Sequence, residues 1–323
     1  MMVLTNINAL TNVCKGDIAL IKLSKEKNPT FHWSNLSLPK TRESCLHLAA
    51  QYGHTDVIRY LLTEFHPTVV DIRNIDNKTP LHDAAQFGQL ECVKLLVQNG
   101  ADINAIKRSD WTPLMLACTK SDKNYLDIVE YLLEKDAYLN FKNKDGWTPI
   151  HLAARNENSS ILQLLLKCPK ADVTVKTRNG RNALHISALH GNVDNVKLLI
   201  SKLDPNSIDS SGNTPFHESV LSGNIQVIDY LVENGAEISV TNKTGANALH
   251  LAAGQNLEHV INLLVNVYNF DINCVDLNGY SALHWAARKN CNNAMKTLIK
   301  LGIDINILDK CGRLAKDYVL KKI

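Results

Sequence analysis

Apolar residues recur along this chain at helical spacing, in short stripes that return about every 33 residues. Val93, Leu96 and Val97, then Val129, Leu132 and Leu133, Val196, Leu199 and Ile200, and Ile228, Leu231 and Val232 fall at i, i+3 and i+4. Each set predicts a helix with one apolar face against its neighbours and a solvated face opposite. Ahead of each stripe lies a shorter apolar piece: SCLHLAA at 44, TPLHDAA at 79, TPLMLAC at 112, TPIHLAA at 148, NALHISA at 182, TPFHESV at 214, NALHLAA at 247 and SALHWAA at 281. Thr79, Thr112, Thr148 and Thr214 are placed to cap a helix, with Pro80, Pro113, Pro149 and Pro215 at its first position, where proline's missing N–H costs least. Gly100, Gly235 and Gly302 close second helices where a left-handed residue is wanted, and extended pieces such as ADINA and IDINI lead on to the next turn. The repeating unit is helix, helix, projecting turn.

The motif histidine falls at His47, His82, His151, His185, His217, His250 and His284, with Met115 in its place once, at steps of 35, 33, 36, 34, 32, 33 and 34 residues. In period and motif the chain resembles the ankyrin-repeat family from about residue 41 onward. The resemblance implies an all-α ankyrin-repeat solenoid of about nine to ten helix-turn-helix repeats with projecting β-turn fingers, each repeat touching only its neighbours. On this reading residues 1–40 form an N-terminal capping repeat, 41–308 the ankyrin repeats and 309–323 a C-terminal capping repeat, in one continuous, monomeric solenoid.

Composition narrows the chemistry. With 35 Lys and Arg against 32 Asp and Glu the net charge is +3, too weak a field to argue for nucleic acid or a membrane surface. The eight cysteines include no C-x-x-C pair, and several sit inside apolar helical patterns, which is expected of reduced thiols in a cytosolic or nuclear protein. No apolar segment approaches the ~20 residues of a membrane span, and no basic region precedes an apolar run at the N-terminus, so neither insertion nor secretion is expected. The motif histidines recur at a structural period, which lines them up in a row instead of converging them on one pocket. Asp145, Asp209, Asp276 and Asp309 read as turn formers. No nucleotide, metalloprotease or serine-hydrolase signature occurs. The expectation is a binding protein, with no cofactor, no metal and no conventional catalytic site.

Departures from the repeat mark the candidate surface. Trp111 and Trp147 stand immediately before Thr-Pro on adjacent turn tips, with Lys107 and Arg108, Lys142 and Lys144, and Lys176, Arg178 and Arg181 on the same row of turns. Tyr52 and Phe87 follow the motif alanines, on the face formed by the first helices. Aromatic side chains clustered with cations are the usual make-up of an interface hot spot. Within residues 76–155, IKRSDWTPLMLACT and KNKDGWTPIHLAAR, preceded by PLHDAAQFGQLECVKLLVQNGADI, are similar to the central repeats of the ankyrin proteins that act as alanyl-tRNA synthetase co-regulators, including Met115 for histidine and Cys118 for alanine. That similarity implies binding to the synthetase catalytic domain and acceptance of misactivated serine on lysine side chains, which limits serine mischarging. The matching acceptor positions are Lys144, in KNKDGW, and Lys176, in VKTRNG. At the third position the family has two lysines before Ala-Asp-Trp, where this chain has Lys107-Arg108. A guanidinium is a poor nucleophile, which leaves Lys107 as the candidate there. The extra KSDKN segment, source of the 36-residue step, is a further departure. The alternatives are an ankyrin scaffold for another partner, such as a signalling complex or ubiquitin ligase, and contact with RNA, which lacks aromatics interleaved along the whole basic stripe.

Overall fold

The structure, a computed structural model, describes residues 2–27, 36–64 and 70–319; the rest of the expected terminal caps, residues 1, 28–35 and 320–323, lies outside the described residues. Eighteen α-helices and one closing 3-10 turn make up the described residues, with no strand among them beyond isolated bridges at the turns. The chain divides into two compact units, Met1–Ala153 with Asn158–Ala171, and Ala154–Glu157 with Asp172–Ile323.

In the first unit α1 (Met2–Lys15) and α2 (Ile18–Lys27) form one hairpin, α3 (Cys45–Tyr52) and α4 (Thr55–Glu64) the next, then α5 (Pro80–Gln86) and α6 (Leu90–Gln98), and α7 (Pro113–Ala117) and α8 (Lys123–Glu134). Next come α9 (Pro149–Ala154), whose last residue falls in the second unit, and α10 (Ser160–Lys167). The second unit holds the hairpins α11 (Ala183–Leu189) and α12 (Val193–Ile200), α13 (Pro215–Ser222) and α14 (Ile225–Glu233), α15 (Ala248–Gly254) and α16 (Glu258–Asn266), and α17 (Ala282–Arg288) and α18 (Asn292–Lys300), closed by the 3-10 turn Ala315–Tyr318. Within each unit first helices stack on first helices, as α3, α5 and α7 do, and second helices on second helices, as α4, α6 and α8 do. The stripes read from the sequence supply the core: Val93, Leu96, Val129, Leu132, Val196, Leu199, Ile228 and Leu231 are fully buried. Each contributes roughly 1.5–3 kcal/mol by leaving water.

Hydrogen bonds tie one repeat to the next at three levels. At the first helix, the amide of the N-cap donates to Nδ1 of the motif histidine three residues on, at 3.1 Å from Ser44 to His47 and from Thr79 to His82. With Nδ1 accepting, the ring proton must sit on Nε2, which then donates to a turn carbonyl of the following repeat. His47 reaches Lys78 at 2.7 Å and His82 reaches Trp111 at 3.1 Å in the first unit. In the second, His185 reaches Asn213 at 3.2 Å, His250 Tyr280 at 2.9 Å and His284 Arg313 at 3.2 Å. Along the turn tips single amide-to-carbonyl bonds join successive fingers: Ile75 to Thr41, Arg108 to Asp76 and Lys144 to Ser109, and, in the second unit, Ser210 to Asn179, Lys243 to Ser211, Leu277 to Thr244 and Lys310 to Asn278. The third level runs back from the start of each second helix to the end of the previous first helix. His54 bonds the Cys14 carbonyl, Gln89 that of Gln51, Tyr125 that of Gln86, Asn224 that of Gly191 and His259 that of Gly223. Asn192 and Asn195 collect the carbonyls of Ala154 and Asn156, Asn192 also that of Arg155. These polar groups at helix ends are the ones a helix leaves unsatisfied, so the links between repeats double as caps.

Second helices close in the left-handed region, Gly100 at φ 86° and Gly235 at φ 89°, with open space around both. Backbone conformation alone therefore selects glycine there. After α8 the same place is held by Asp136 at φ 59°. Asp136→Gly is expected to raise stability by about 1 kcal/mol, read from the urea midpoint, because its exposed pairing with Lys170 at 3.5 Å is worth less than the conformational cost.

The motif histidines also set an acid limit. Burial holds His47, His185 and His217 down at about 4 and His82 at about 3, from an ordinary 6.5, and lowers His250 as well. Their contribution is complete above pH 6.5 and is lost as pH falls through the folded values. Burial acts oppositely on two carboxyls, raising Asp83 to about 6 and Glu218 to about 7, so their contribution is present at low pH and is lost as pH rises through those values. Five imidazoles outweigh two carboxyls, and the urea midpoint is expected to fall as pH is lowered from 7 to 4; a midpoint that stays flat or rises would contradict the neutral-histidine links.

Candidate partner-binding site

Residues spaced far apart in the chain meet in one groove of the first unit. It has a volume of about 690 Å³ and is lined by Gln86 and Phe87 from the end of α5, Lys107 and Trp111 from the next turn, Leu116, Thr119 and Lys120 from around α7, and Tyr125 from α8. Phe87 is exposed and Trp111 half-buried, so two aromatic faces flank the opening. A bridge between Lys107 and Trp111 folds the turn back on itself, and the Trp111 carbonyl is the acceptor of His82. The indole is thus held at its backbone while its ring stays available. Tyr125 closes the far wall, its hydroxyl donating to the Gln86 carbonyl at 3.0 Å.

Charge in the groove is unevenly placed. The Lys107 ammonium lies 5.8 Å from the centre of the Trp111 ring. Burial, then the neighbouring Lys78, lowers its pKa against the opposing pull of Asp76 and Asp83. Lys78 sits 5.6 Å from the centre of the Phe87 ring and forms an ion pair with Asp83, whose side chain is 1% exposed. The second carboxyl oxygen of Asp83 has no hydrogen-bond partner among the described residues. Asp83 occupies the place after the motif histidine where Leu48, Leu116 and Leu152 stand in neighbouring repeats. A carboxylate at that apolar place was the available sequence signal for the pair, and the sequence reading passed over it.

The other candidates do not line this groove. Trp111 and Trp147, expected at turn tips, lie on the returning limb just before the helix cap, because Lys107 and Asn143 each donate a backbone N–H to the tryptophan carbonyl; the central residues of the turns are Arg108-Ser109 and Lys144-Asp145. Trp147 is half-buried, edge-on to His151 with ring centres 6.1 Å apart. Tyr52 is exposed one repeat before Phe87 and stacks with His54 at 6.3 Å. Arg108 is exposed and pairs with Asp76 at 3.1 Å, and Lys142 and Lys144 are exposed on the following finger. Lys176 and Arg178 are exposed in the second unit, where the Lys176 amine donates to the Ile208 carbonyl at 3.2 Å. Arg181 is drawn inward to Glu218 at 2.7 Å and Asp209 at 3.3 Å.

Stacked helical hairpins, fingers linked in a row and an aromatic groove with lysines define a repeat protein built for protein contacts. Residues 10–107, 106–177, 169–242 and 234–309 match the family described as ankyrin repeats (3 copies), and the chain belongs to the ankyrin-repeat family. It is 38% identical over 136 residues to palmitoyltransferase AKR1 of Lachancea kluyveri, a match over 41% of this chain and 18% of that protein. It is 30% identical over 165 residues to the nuclear factor NF-kappa-B p105 subunit of Gallus gallus, over 48% of this chain and 17% of that protein. With neurogenic locus notch homolog protein 1 of Xenopus tropicalis it shares 38% identity over 125 residues, 38% of this chain and 5% of that protein. The chain thus matches less than a fifth of the length of each of these relatives. Among the described residues no helix is long and apolar enough to cross a membrane.

The Lys78 and Asp83 pair beneath the groove gives a stability test. Asp83→Leu alone leaves a half-buried ammonium without its counter-charge and is expected to destabilise, whereas Lys78→Met combined with Asp83→Leu should match the wild type or exceed it by about 1–4 kcal/mol in urea denaturation. Equal stability of the single and double variants would mean that the pair is not coupled.

Proposed function

We propose that this ankyrin scaffold docks the catalytic domain of alanyl-tRNA synthetase on the groove and fingers of its first unit, and that lysines there accept misactivated serine before it reaches tRNA. The reading rests on the similarity of residues 76–155 to ankyrin repeat domain-containing protein 16. The observation that carries it is Lys107, an amine of lowered pKa held against Trp111 at the mouth of an aromatic groove. An aminoacyl adenylate is already an activated acyl donor, so the scaffold need only supply a neutral amine in reach. The Nζ lone pair attacks the seryl carbonyl, a C–N bond forms and the acyl C–O bond to phosphate breaks. AMP departs with that electron pair, and the ammonium proton passes to solvent. The product is an amide, so the lysine is consumed and the protein is not a turnover enzyme.

Lys144 and Lys176 remain acceptor candidates on the same grounds of similarity, both exposed. Arg108 supports its finger through Asp76. The palmitoyltransferase match spans 18% of the length of that relative, and the proposal takes no transferase chemistry from it. We place the protein in the cytoplasm and nucleus as a monomer, with no direct nucleic-acid or membrane contact. A second reading, a scaffold for a signalling or ubiquitin-ligase partner, draws support from two details: Arg108 is not a nucleophile, and the Lys176 amine is engaged with a backbone carbonyl.

Incubation with alanyl-tRNA synthetase, ATP and serine is expected to add a seryl mass to Lys107 and Lys144, and to Lys176 more slowly. Alanine should label far less. Lys107→Arg, Lys144→Arg and Lys176→Arg together should keep the complex and abolish the adduct. Trp111→Ala and Trp147→Ala should each weaken the complex by about 2 kcal/mol or more, with little change in thermal stability. A complex without seryl-lysine reduces the function to the second reading, and the absence of any complex removes the synthetase altogether.

A further inference from the structure

The far end of the second unit carries a second aromatic and basic site, built from residues the lysine-acceptor reading does not use. Trp285, Arg288 and Lys289 line a cleft of about 290 Å³ on α17. Its floor is set by a glycine at the end of a helix: a Cβ on Gly254, the last residue of α15, would lie 3.1 Å from the Trp285 ring and 3.6 Å from the Lys289 amine. The equivalent place in other repeats holds Gln51, Gln86, Thr119, Arg155, Leu189, Leu221 and, in the last, Arg288 itself. Glycine in a helix costs about 1 kcal/mol relative to alanine, and here its missing side chain is what admits the indole and the lysine stem.

Of the cations at this end, Arg288 and Lys289 line the cleft and are uncompensated. The Arg288 guanidinium lies 4.7 Å from the centre of the Tyr280 ring and 5.9 Å from that of Tyr318, and the Arg313 guanidinium 4.7 Å from that of Tyr318. A guanidinium held over an aromatic ring keeps N–H donors with which to receive an anion. Two carboxylates of this end, Asp276 and Asp309, are turned inward, while Asp317 is exposed. Asp276 accepts the Trp285 indole N–H at 3.0 Å and the amides of Asn278 and Tyr280, and Asp309 accepts the Tyr318 hydroxyl and the amides of Cys311 and Arg313. Asp309 also meets Arg313 at 3.5 Å, whereas Arg288 and Lys289 form no salt bridge among the described residues.

We propose that the Trp285, Arg288 and Lys289 cleft binds an acidic segment of a partner protein, with carboxylates on Arg288 and Lys289 and an aromatic or aliphatic side chain against Trp285 over Gly254. The fork of N–H groups on a stacked guanidinium matches a carboxylate in both spacing and plane. A cleft of this volume takes one or two side chains. Single-stranded nucleic acid is disfavoured because Tyr280 and Tyr318 already carry guanidinium groups, which leaves one indole where a strand needs successive open rings.

The test uses the full chain and a fluorescein-labelled acetyl-Glu-Asp-Phe-Glu-Asp-amide peptide, followed by anisotropy at low and high salt. Binding is expected at low salt and should weaken as salt is added. Arg288→Gln with Lys289→Gln should lower affinity at least about tenfold, and Arg288→Lys, which keeps the charge but not the fork, should fall between. Gly254→Gln, which fills the floor and alters no charge, should lower affinity about fivefold or more while the circular dichroism spectrum and thermal midpoint remain those of a folded chain. Lys300→Gln, at an exposed position on α18, should leave it unchanged. Failure of the peptide to bind near millimolar concentration overturns the proposal. So does equal affinity in the wild type, the double variant and Gly254→Gln, or tighter binding of a single-stranded oligouridylate than of the acidic peptide.

Discussion

A neutral imidazole that accepts an amide on one nitrogen and donates to a carbonyl on the other is the interaction by which His47, His82, His185, His250 and His284 each join a repeat to the one that follows. It fixes the cap of its own first helix and the turn of the following repeat with one rigid ring, which is why the residue type recurs at the period of the repeat. The arrangement works only while Nδ1 is unprotonated, and burial holds the ring neutral. Met115 shows what remains without it. Its helix is capped by the Thr112 side chain alone, which accepts the Met115 amide at 3.3 Å, and a thioether has no N–H to hand to the next turn. Stacking of fully buried apolar side chains carries that joint.

The residue just before each helix cap is where the repeats differ in chemistry. Lys78 and Arg181 hold this place in two repeats, Trp111 and Trp147 in two others, and Tyr280 and Arg313 near the end of the chain. Lys78 and Arg181 each reach a carboxylate at an otherwise apolar helix position, Asp83 and Glu218, whereas Arg313 pairs with Asp309 in its own turn. Where the residue is an aromatic ring, it leaves a wall. Ion pair and groove are two uses of one position on a backbone that does not change, and the sites at Trp111 and at Tyr280 both begin there.

The fold was legible because its determinants are periodic: histidine spacing, Thr-Pro caps, left-handed glycines and the i, i+3 stripes each repeat often enough to be seen in one sequence. The links from second helix to previous first helix escaped notice because the donors are chemically unrelated, histidine, glutamine, tyrosine and asparagine among them, and only their reach is shared. The groove was half legible. Phe87, Trp111 and Lys107 stood out as departures, but Tyr125 and Lys120 join them only through folding of separate elements. Placing the tryptophans at turn tips misjudged the turn, whose bridge puts them on the returning limb. Lys176 and Arg181, read as surface cations, are engaged with a carbonyl and with two carboxylates that are distant in sequence.

The three residues that lengthen one repeat to a 36-residue step are absorbed by α8, at 12 residues the longest of the second helices described. Its buried Ile128, Val129 and Leu132 stand three places later after Met115 than Cys92, Val93 and Leu96 do after His82, so the addition is nearly one full turn at the start of the helix. Tyr125 moves by the same three places and takes up the link that Gln89 makes one repeat earlier. The seam between the two helices of a repeat is therefore a position where length can be inserted by whole helical turns without shifting the register of the fingers. New side chains arrive there already aimed at a neighbouring surface, so the helix hairpin is a place where this chain can gain length and contacts while the fingers keep their spacing.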